Sequence, residues 1–344
     1  MKAIQFLGMT AFMAAMLTGC SNDSDLAHSN FPDDNIIRVT AGVNGAVTRA
    51  ETVAPLNSNF SLTVVNKAPL KEGERYSTYS YGNKFFQKNG SEWICSTPLL
   101  WQDADTKVDV AALAPAIDEM TFNGIYNYMQ KIQTLEYSIS DNQETQKPVN
   151  KNDLLYYYQS DLVPRTALNS DGKLDIQFNH AFSMIDIIVT LGTEYSNKEN
   201  PINKVIVGGS KLKATIDVTN SKGKGVAYAS TPEETSTTGE NPETDIITTP
   251  GTFTKATTDE ENSEAKFSCI LIPQTIDANK FKVTLKTSSK TYVWTSPSAI
   301  TLETGHKYTL ALTMGKDKLT AQKGNISAVS WTEGTGSDST LGTK

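Results

Sequence analysis

Short segments in which apolar and polar residues alternate recur along most of this chain, and they predict strands, with their apolar side chains on one face. Ile37-Arg38-Val39-Thr40-Ala41, Leu174-Asp175-Ile176-Gln177-Phe178 and Phe281-Lys282-Val283-Thr284-Leu285 all have this form. Gly, Asn, Asp and Pro separate such segments, so the predicted fold class is all-β, built of antiparallel sheets. The run from Ile185 to Leu191 is almost continuously apolar, which predicts a strand covered on both faces. Asn169-Ser170-Asp171-Gly172-Lys173 carries the Asp-Gly of a tight turn, and Gly208-Gly209 reads as a second turn. Helix is confined to short pieces. Thr121 to Lys131 places Phe122, Ile125 and Met129 on one side, although Gly124 weakens it. Between Ala229 and Glu264 the chain turns to Thr, Ser, Glu, Gly and Pro. This composition buries too little apolar surface to order itself, so Thr231 to Asn241 reads as a mobile insertion and Ile246-Ile247 as a strand resuming the sheet. Ser138 to Asn152, polar and broken by Pro148, reads as a second soft stretch near a domain boundary.

The N-terminus has a different pattern. An apolar stretch from Ile4 to Leu17 follows Lys2 and ends in Leu17-Thr18-Gly19-Cys20. Its length suits a signal-peptide core and is too short for a membrane-spanning helix. Small residues before a cysteine form the lipobox that signal peptidase II cuts, so the mature chain is expected to begin at Cys20 with lipid on its thiol. Each buried methylene of an acyl chain adds about 0.8 kcal/mol of membrane affinity, so two or three chains anchor a protein to the outer membrane almost permanently. The alternative is an ordinary signal peptide with an incidental cysteine.

Composition narrows the function. Loss of residues 1–19 from 344 leaves 325, more than one core usually organises, so two domains are expected. The boundaries predicted are signal peptide 1–19, a propeptide with the first strand 20–49, an N-terminal domain 50–172 and a C-terminal domain 173–344. A net charge of −7 with singly scattered Lys and Arg leaves no basic face for nucleic acid. Cys95 and Cys269, the other two cysteines, are expected as reduced thiols in different domains, with a disulfide as the alternative.

The inventory for catalysis is empty. His28, His180 and His306 are far apart and never at the i, i+4 spacing of a zinc helix. Nucleophile-elbow, phosphate-loop and dinucleotide-binding glycine motifs are missing. His180 reads as a hydrogen-bonded residue at a domain junction. Asp103, Asp105 and Asp109 loosely match calcium-loop spacing but lack its central glycine and closing glutamate, so they read as a solvated acidic turn. Trp93, Trp101, Trp294 and Trp331 read as core residues in or beside strands, with a sugar-stacking platform as the alternative. No enzyme, metal or cofactor is expected.

Five places along the chain resemble the fimbrillin family, the subunits of type V pili of Bacteroidales. They are the lipobox with its acidic follow-on Ser21-Asn22-Asp23-Ser24-Asp25; Ile36-Ile37-Arg38-Val39 leading to Thr48-Arg49-Ala50; Trp93 through Thr97-Pro98-Leu99-Leu100-Trp101 to Val108-Asp109-Val110-Ala111-Ala112-Leu113-Ala114-Pro115; Asn152-Asp153-Leu154-Leu155-Tyr156 with Phe178-Asn179-His180-Ala181-Phe182-Ser183; and Leu271-Ile272-Pro273-Gln274 with Thr304-Gly305-His306-Lys307-Tyr308, ending at Ser330-Trp331. The resemblance implies two tandem transthyretin-like antiparallel β-sandwich domains. It implies a surface lipoprotein that an arginine-specific protease cuts, with loss of the lipid and first strand, and that then polymerises by strand exchange with other fimbrillin subunits into an adhesive fimbria. Thr48-Arg49-Ala50 matches the cut, making Arg49 the cleavage residue and Ala50 the new N-terminus; the rival reading of Arg49 is an exposed turn residue.

The residues are compatible with that scheme. Ile37, Val39, Ala41 and Val43 alternate with Ile36, Arg38, Thr40 and Gly42, and can lay one apolar row into a sheet. The candidate donor strand is Ile326-Ser327-Ala328-Val329-Ser330-Trp331, in which Ile326, Ala328, Val329 and Trp331 are the apolar members. A head-to-tail contact of this kind is heterologous and generates an open filament. A stalk subunit is expected, with a tip or accessory subunit as the alternative. The reading from another class is a lipid-anchored adhesin or carbohydrate-binding lipoprotein that never polymerises. Cys20→Ser is expected to abolish incorporation of labelled palmitate and to leave the protein extractable without detergent, which metabolic labelling and fractionation check.

Overall fold

The computed structural model describes residues 30–44, 54–116, 135–145, 152–196, 198–217, 229–232, 244–258, 260–322 and 326–330. The predicted helix Thr121 to Lys131 and most of the insertion Thr231 to Asn241 lie outside them, as do His28 and Trp331.

The first unit is built from β1 (Val39–Val43), β2 (Ala54–Pro55), β3 (Phe60–Asn66), β4 (Tyr81–Asn89), β5 (Glu92–Cys95) and β6 (Val108–Ala114). After β7 (Leu135–Ser138), which belongs elsewhere, come β8 (Leu155–Leu162) and β9 (Leu174–His180). These strands hydrogen-bond in the order β2-β1-β9-β8-β6-β3-β4-β5. Only Leu155–His180 and Tyr156–Asn179 pair β8 with β9, so the sheet folds over at that point and encloses a core. Phe60 is at its centre, stacked on Phe86 with centroids 5.2 Å apart and meeting Trp93 and Phe178 edge-on at 5.0 and 5.6 Å. Trp101 is buried in the same core.

The second unit is a sandwich. Its strands are β10 (Ser183–Leu191), β11 (Ile202–Ser210), β12 (Lys213–Asp217), β13 (Ala229–Pro232), β14 (Thr244–Ile247), β15 (Thr249–Thr254), β16 (Glu264–Leu271), β17 (Thr275–Ile276), β18 (Lys282–Thr287), β19 (Thr291–Thr295), β20 (Ile300–Thr301), β21 (His306–Met314), β22 (Leu319–Ala321) and β23 (Ser327–Ser330). One sheet runs β15-β16-β10-β21, with β22 and β23 on the outer edge of β21; the other runs β14-β11-β18-β19. Ile185, Ile187 and Val189 from the first sheet share a core with Val205, Val207, Val283 and Leu285 from the second. A smaller sheet, β13-β12-β7, adds Ala214 and Ile216 to that core.

The all-β reading is correct, and the sheets are antiparallel except at two places. β1 lies parallel to β9, and β10 lies parallel to β21. In each unit the opening strand is therefore matched with a strand near the unit's end, a pairing that local alternation cannot reveal.

Several local expectations change. Gly208-Gly209 is a bulge inside β11 and not a turn: the register shifts between Val207 and Ser210, and Gly209 has φ +91° with its missing Cβ only 2.4 Å from the Lys280 carbonyl oxygen. The run Ile185 to Leu191 is fully buried on one face and half-buried on the other. Within residues 138–145, Ile139 and Gln143 are buried, and the Gln143 amide acts as a piece of β-ladder: its Nε2 donates to the Ile270 carbonyl at 3.0 Å and its Oε1 accepts from the Ile270 amide at 2.8 Å. The expected boundary between residues 172 and 173 falls just before β9, which pairs in the first unit, while β7 pairs with β12 in the second. By pairing, the chain enters the second unit, returns for β8 and β9, and then leaves for good.

The two cores are divided by single strands. On β6, Val110, Ala112 and Ala114 face the first core while Ala111 and Leu113 face the second; on β8, Leu155 and Tyr157 face the first while Tyr156, with Leu154 just before the strand, faces the second. Continuous apolar runs follow from this double burial. Between the units, His180 Nδ1 is 2.8 Å from the Asp153 carboxylate, and both side chains are buried. Burial raises the Asp153 pKa, and the imidazole opposes that shift. His180 is thus the junction residue the sequence suggested. Phe60→Ala is expected to cost about 3–5 kcal/mol, measured by denaturant unfolding with Trp93 and Trp101 fluorescence as the reporter of this core.

Candidate functional site

The feature with the most to do is the leading segment, residues 30–44. Its apolar row is used in full: Ile37, Val39 and Val43 are 4%, 2% and 5% exposed in the first core, and Ala41 packs against it. At about 1.5–3 kcal/mol for each large side chain, the three contribute several kcal/mol before ordering costs. Parallel pairing sets Val39 to Val43 beside Leu174 to Phe178. The Leu174 amide donates to the Arg38 carbonyl and the Asn44 amide to the Phe178 carbonyl, each at 2.8 Å.

The opposite edge is held in two pieces. The Ile37 amide donates to the Leu99 carbonyl and the Trp101 amide to the Asn35 carbonyl, both at 2.8 Å, so Leu99 to Trp101 forms a lip beside the start of the segment. Gly42 and Val43 pair with Pro55 and Ala54. Leu99 and Trp101 turn inward while Leu100 stays exposed, which is why a short apolar stretch can serve as a lip.

Polar contacts fix the ends and the outer face. Gly172, at φ +71°, lets the Asn30 carbonyl approach to 2.8 Å of where a Cβ would stand, in the very turn that the Asp-Gly pair predicts. Arg38 grips Asp34 with two hydrogen bonds, at 2.9 and 2.5 Å. The guanidinium, together with the Ile36 amide, pulls the exposed Asp34 carboxyl down to about 2. On the solvent side Thr40 Oγ1 donates to Asp175 Oδ1, and Asn44 Nδ2 to Asn179 Oδ1, each at 2.8 Å.

The C-terminal candidate is held less firmly. Ser327 to Ser330 pairs antiparallel with His306 to Thr309 of β21, on the outer edge of the sheet. Ile326, Ala328 and Val329 are only half-buried. Cys20, Arg49, Ala50 and Trp331 lie outside the described residues.

The remaining candidates fall into structural roles. Asp103 accepts from the Thr106 hydroxyl and from the amides of Thr106 and Asp105 in its own loop, which lowers its pKa; Asp105 pairs with Arg165 at 2.7 Å; Asp109 pairs with Lys67 at 2.8 Å. Three acids with three separate partners make no calcium cradle, and among the described residues no group of three or more His, Cys, Asp or Glu is placed to hold a metal. Trp93 and Trp101 are buried and Trp294 is partly buried against the second core, where it meets Phe281. Cys95 and Cys269 are free thiols packed in different cores, and burial pushes the Cys269 thiol up. Cys95 stands on β5, the strand beside the leading segment. Sequence reasoning missed the lip at Leu99 to Trp101 and the outward row on β9.

The sequence profile of a family described as Fimbrillin-like matches residues 48–331. Among solved structures, a candidate cell adhesion protein of Bacteroides ovatus superposes with a TM-score of 0.55 at 18% identity, covering 85% of this chain and 96% of that one. A candidate cell adhesion protein of Bacteroides uniformis superposes at 0.54 and 14% identity, covering 88% and 100%. A fimbrial protein of Bacteroides vulgatus superposes at 0.51 and 14% identity, covering 86% and 99%. At these identities the likeness is one of fold. No curated protein matches the chain. Ile37→Ala is expected to loosen the leading segment by about 2–5 kcal/mol, read as faster hydrogen exchange at the Leu174 amide, which is bonded to Arg38 in the same segment.

Proposed function

Because the chain belongs to the fimbrillin-like family, we propose that it is a structural subunit of a fimbria, a cell-surface appendage that supports adhesion. It is exported as a lipoprotein on Cys20 and cut after Arg49 by an arginine-specific protease, leaving Ala50 as the new N-terminus. Other fimbrillin subunits then take the place of the released segment. No catalytic chemistry is assigned to it.

One observation carries this reading: the leading segment is a complete inner strand of the first unit, and Arg49 lies in the connection from β1 to β2. A cut there severs β1 from the rest of the chain. Its departure would open a slot lined by first-core side chains and flanked by the unpaired edge of β9, and an edge of this kind is a template for another strand. The gross gain from refilling the apolar sites is reduced by the cost of ordering the donor. Half-buried β23, with strand alternation and pairing on one edge alone among the described residues, is more detachable than β1 and is the donor candidate.

β23 also favours a second reading. It is paired along β21 of its own unit, as expected of a tip or accessory adhesin that offers no tail and keeps its lipid. The two readings differ at the N-terminus. Mass spectrometry of protein recovered from cells is expected to find Ala50 in sheared fimbriae, and Arg49→Ala is expected to leave a lipidated monomer. An intact bond after Arg49, or a cut product that stays monomeric under assembly conditions, counts against the stalk role.

A further inference from the structure

The outward face of β9 carries Asp175, Gln177 and Asn179, opposite Thr40, Gly42 and Asn44 of the leading segment. Thr40 and Asn44 each donate a side-chain hydrogen bond to the residue they face, at 2.8 Å. Gly42, itself buried, has no side chain to offer. Gln177 therefore turns its Nε2 sideways to Asp175 Oδ1 at 2.8 Å, and its Oε1 is closed off from solvent with no donor among the described residues. A buried acceptor left in this state is a cost that a suitable neighbour removes.

We propose that this row selects and registers the strand that replaces the leading segment: the partner is a strand of another subunit carrying hydroxyl or amide donors at alternate outward positions, including the one Gly42 leaves blank. The proposal rests on the strand-replacement reading and adds what that reading lacks. The apolar sites accept any aliphatic side chain of suitable size, and a strand sliding by two residues keeps its apolar face inward. A strand with donors at only those three positions loses one of the three hydrogen bonds over Asp175, Gln177 and Asn179 when it slides by two. Hydrogen bonds to these three acceptors thus distinguish registers that burial treats as equal. The resident strand meets two of the three, so a newcomer meeting all three has an advantage at the same apolar fit.

The test uses the full chain with a sequence-specific protease site introduced at Arg49, so that it does not depend on the natural cut. After cleavage the protein is offered fluorescent peptides of the 30–44 sequence, and binding is read by anisotropy in competition. The resident sequence is expected to bind, Thr40→Val to bind about tenfold more weakly, and that loss to vanish on protein carrying Asp175→Ala. Gly42→Ser is expected to bind about three- to tenfold more tightly than Gly42→Ala, the second peptide controlling for the added Cβ. Equal binding of Thr40→Val and the resident peptide, or of the Ser and Ala peptides, overturns selection by this row and leaves strand replacement standing. If no peptide binds the cut protein, strand replacement and selection fall together.

Discussion

The structure depends on the pairing of β1 with β9. The first unit is one sheet bent round a core, and Ile37, Val39 and Val43 close the part of that core between β9 and the Leu99 to Trp101 lip. Remove them and the core faces water along one side, while a row of β9 backbone groups loses its partners. Neither condition is stable alone. A first unit of this shape needs a strand in that place, and on the proposed reading this requirement turns a packing detail into a basis for association.

The second unit makes such a demand tolerable. Because β6 and β8 send alternate side chains into the two cores, these strands are held from behind by a core the leading segment does not touch. The buried Asp153–His180 pair fastens the junction between the units, and the Gln143 amide ties the segment after β7 to β16. Loss of β1 would weaken one face of the first sheet, and the other face would keep its partner.

Much of this was legible in the residues. The alternation of Ile37, Val39, Ala41 and Val43 identified a strand with one buried face, and that of Leu174, Ile176 and Phe178 did the same for β9. That they pair was not legible, because alternation says which way a side chain points and nothing about which strand lies alongside; Thr40 and Asp175 are 135 residues apart. Gly208-Gly209 was misread because a glycine pair signals a turn and a bulge equally, and only the approach of the Lys280 carbonyl decides between them. Gln143 was overlooked for a related reason: a side-chain amide standing in for a backbone ladder leaves no periodic trace in a polar stretch.

The parallel sense of β1 and β9 has a last consequence. A strand that repeats the hydrogen bonds β1 makes runs the same way as β9, with the evenly spaced, slanted pattern of a parallel pair. A row of subunits joined in this manner has two unlike termini, one showing a filled slot and the other an unspent tail. Under the proposed strand replacement, elongation and tethering belong to opposite extremities, because every link of the row is head-to-tail.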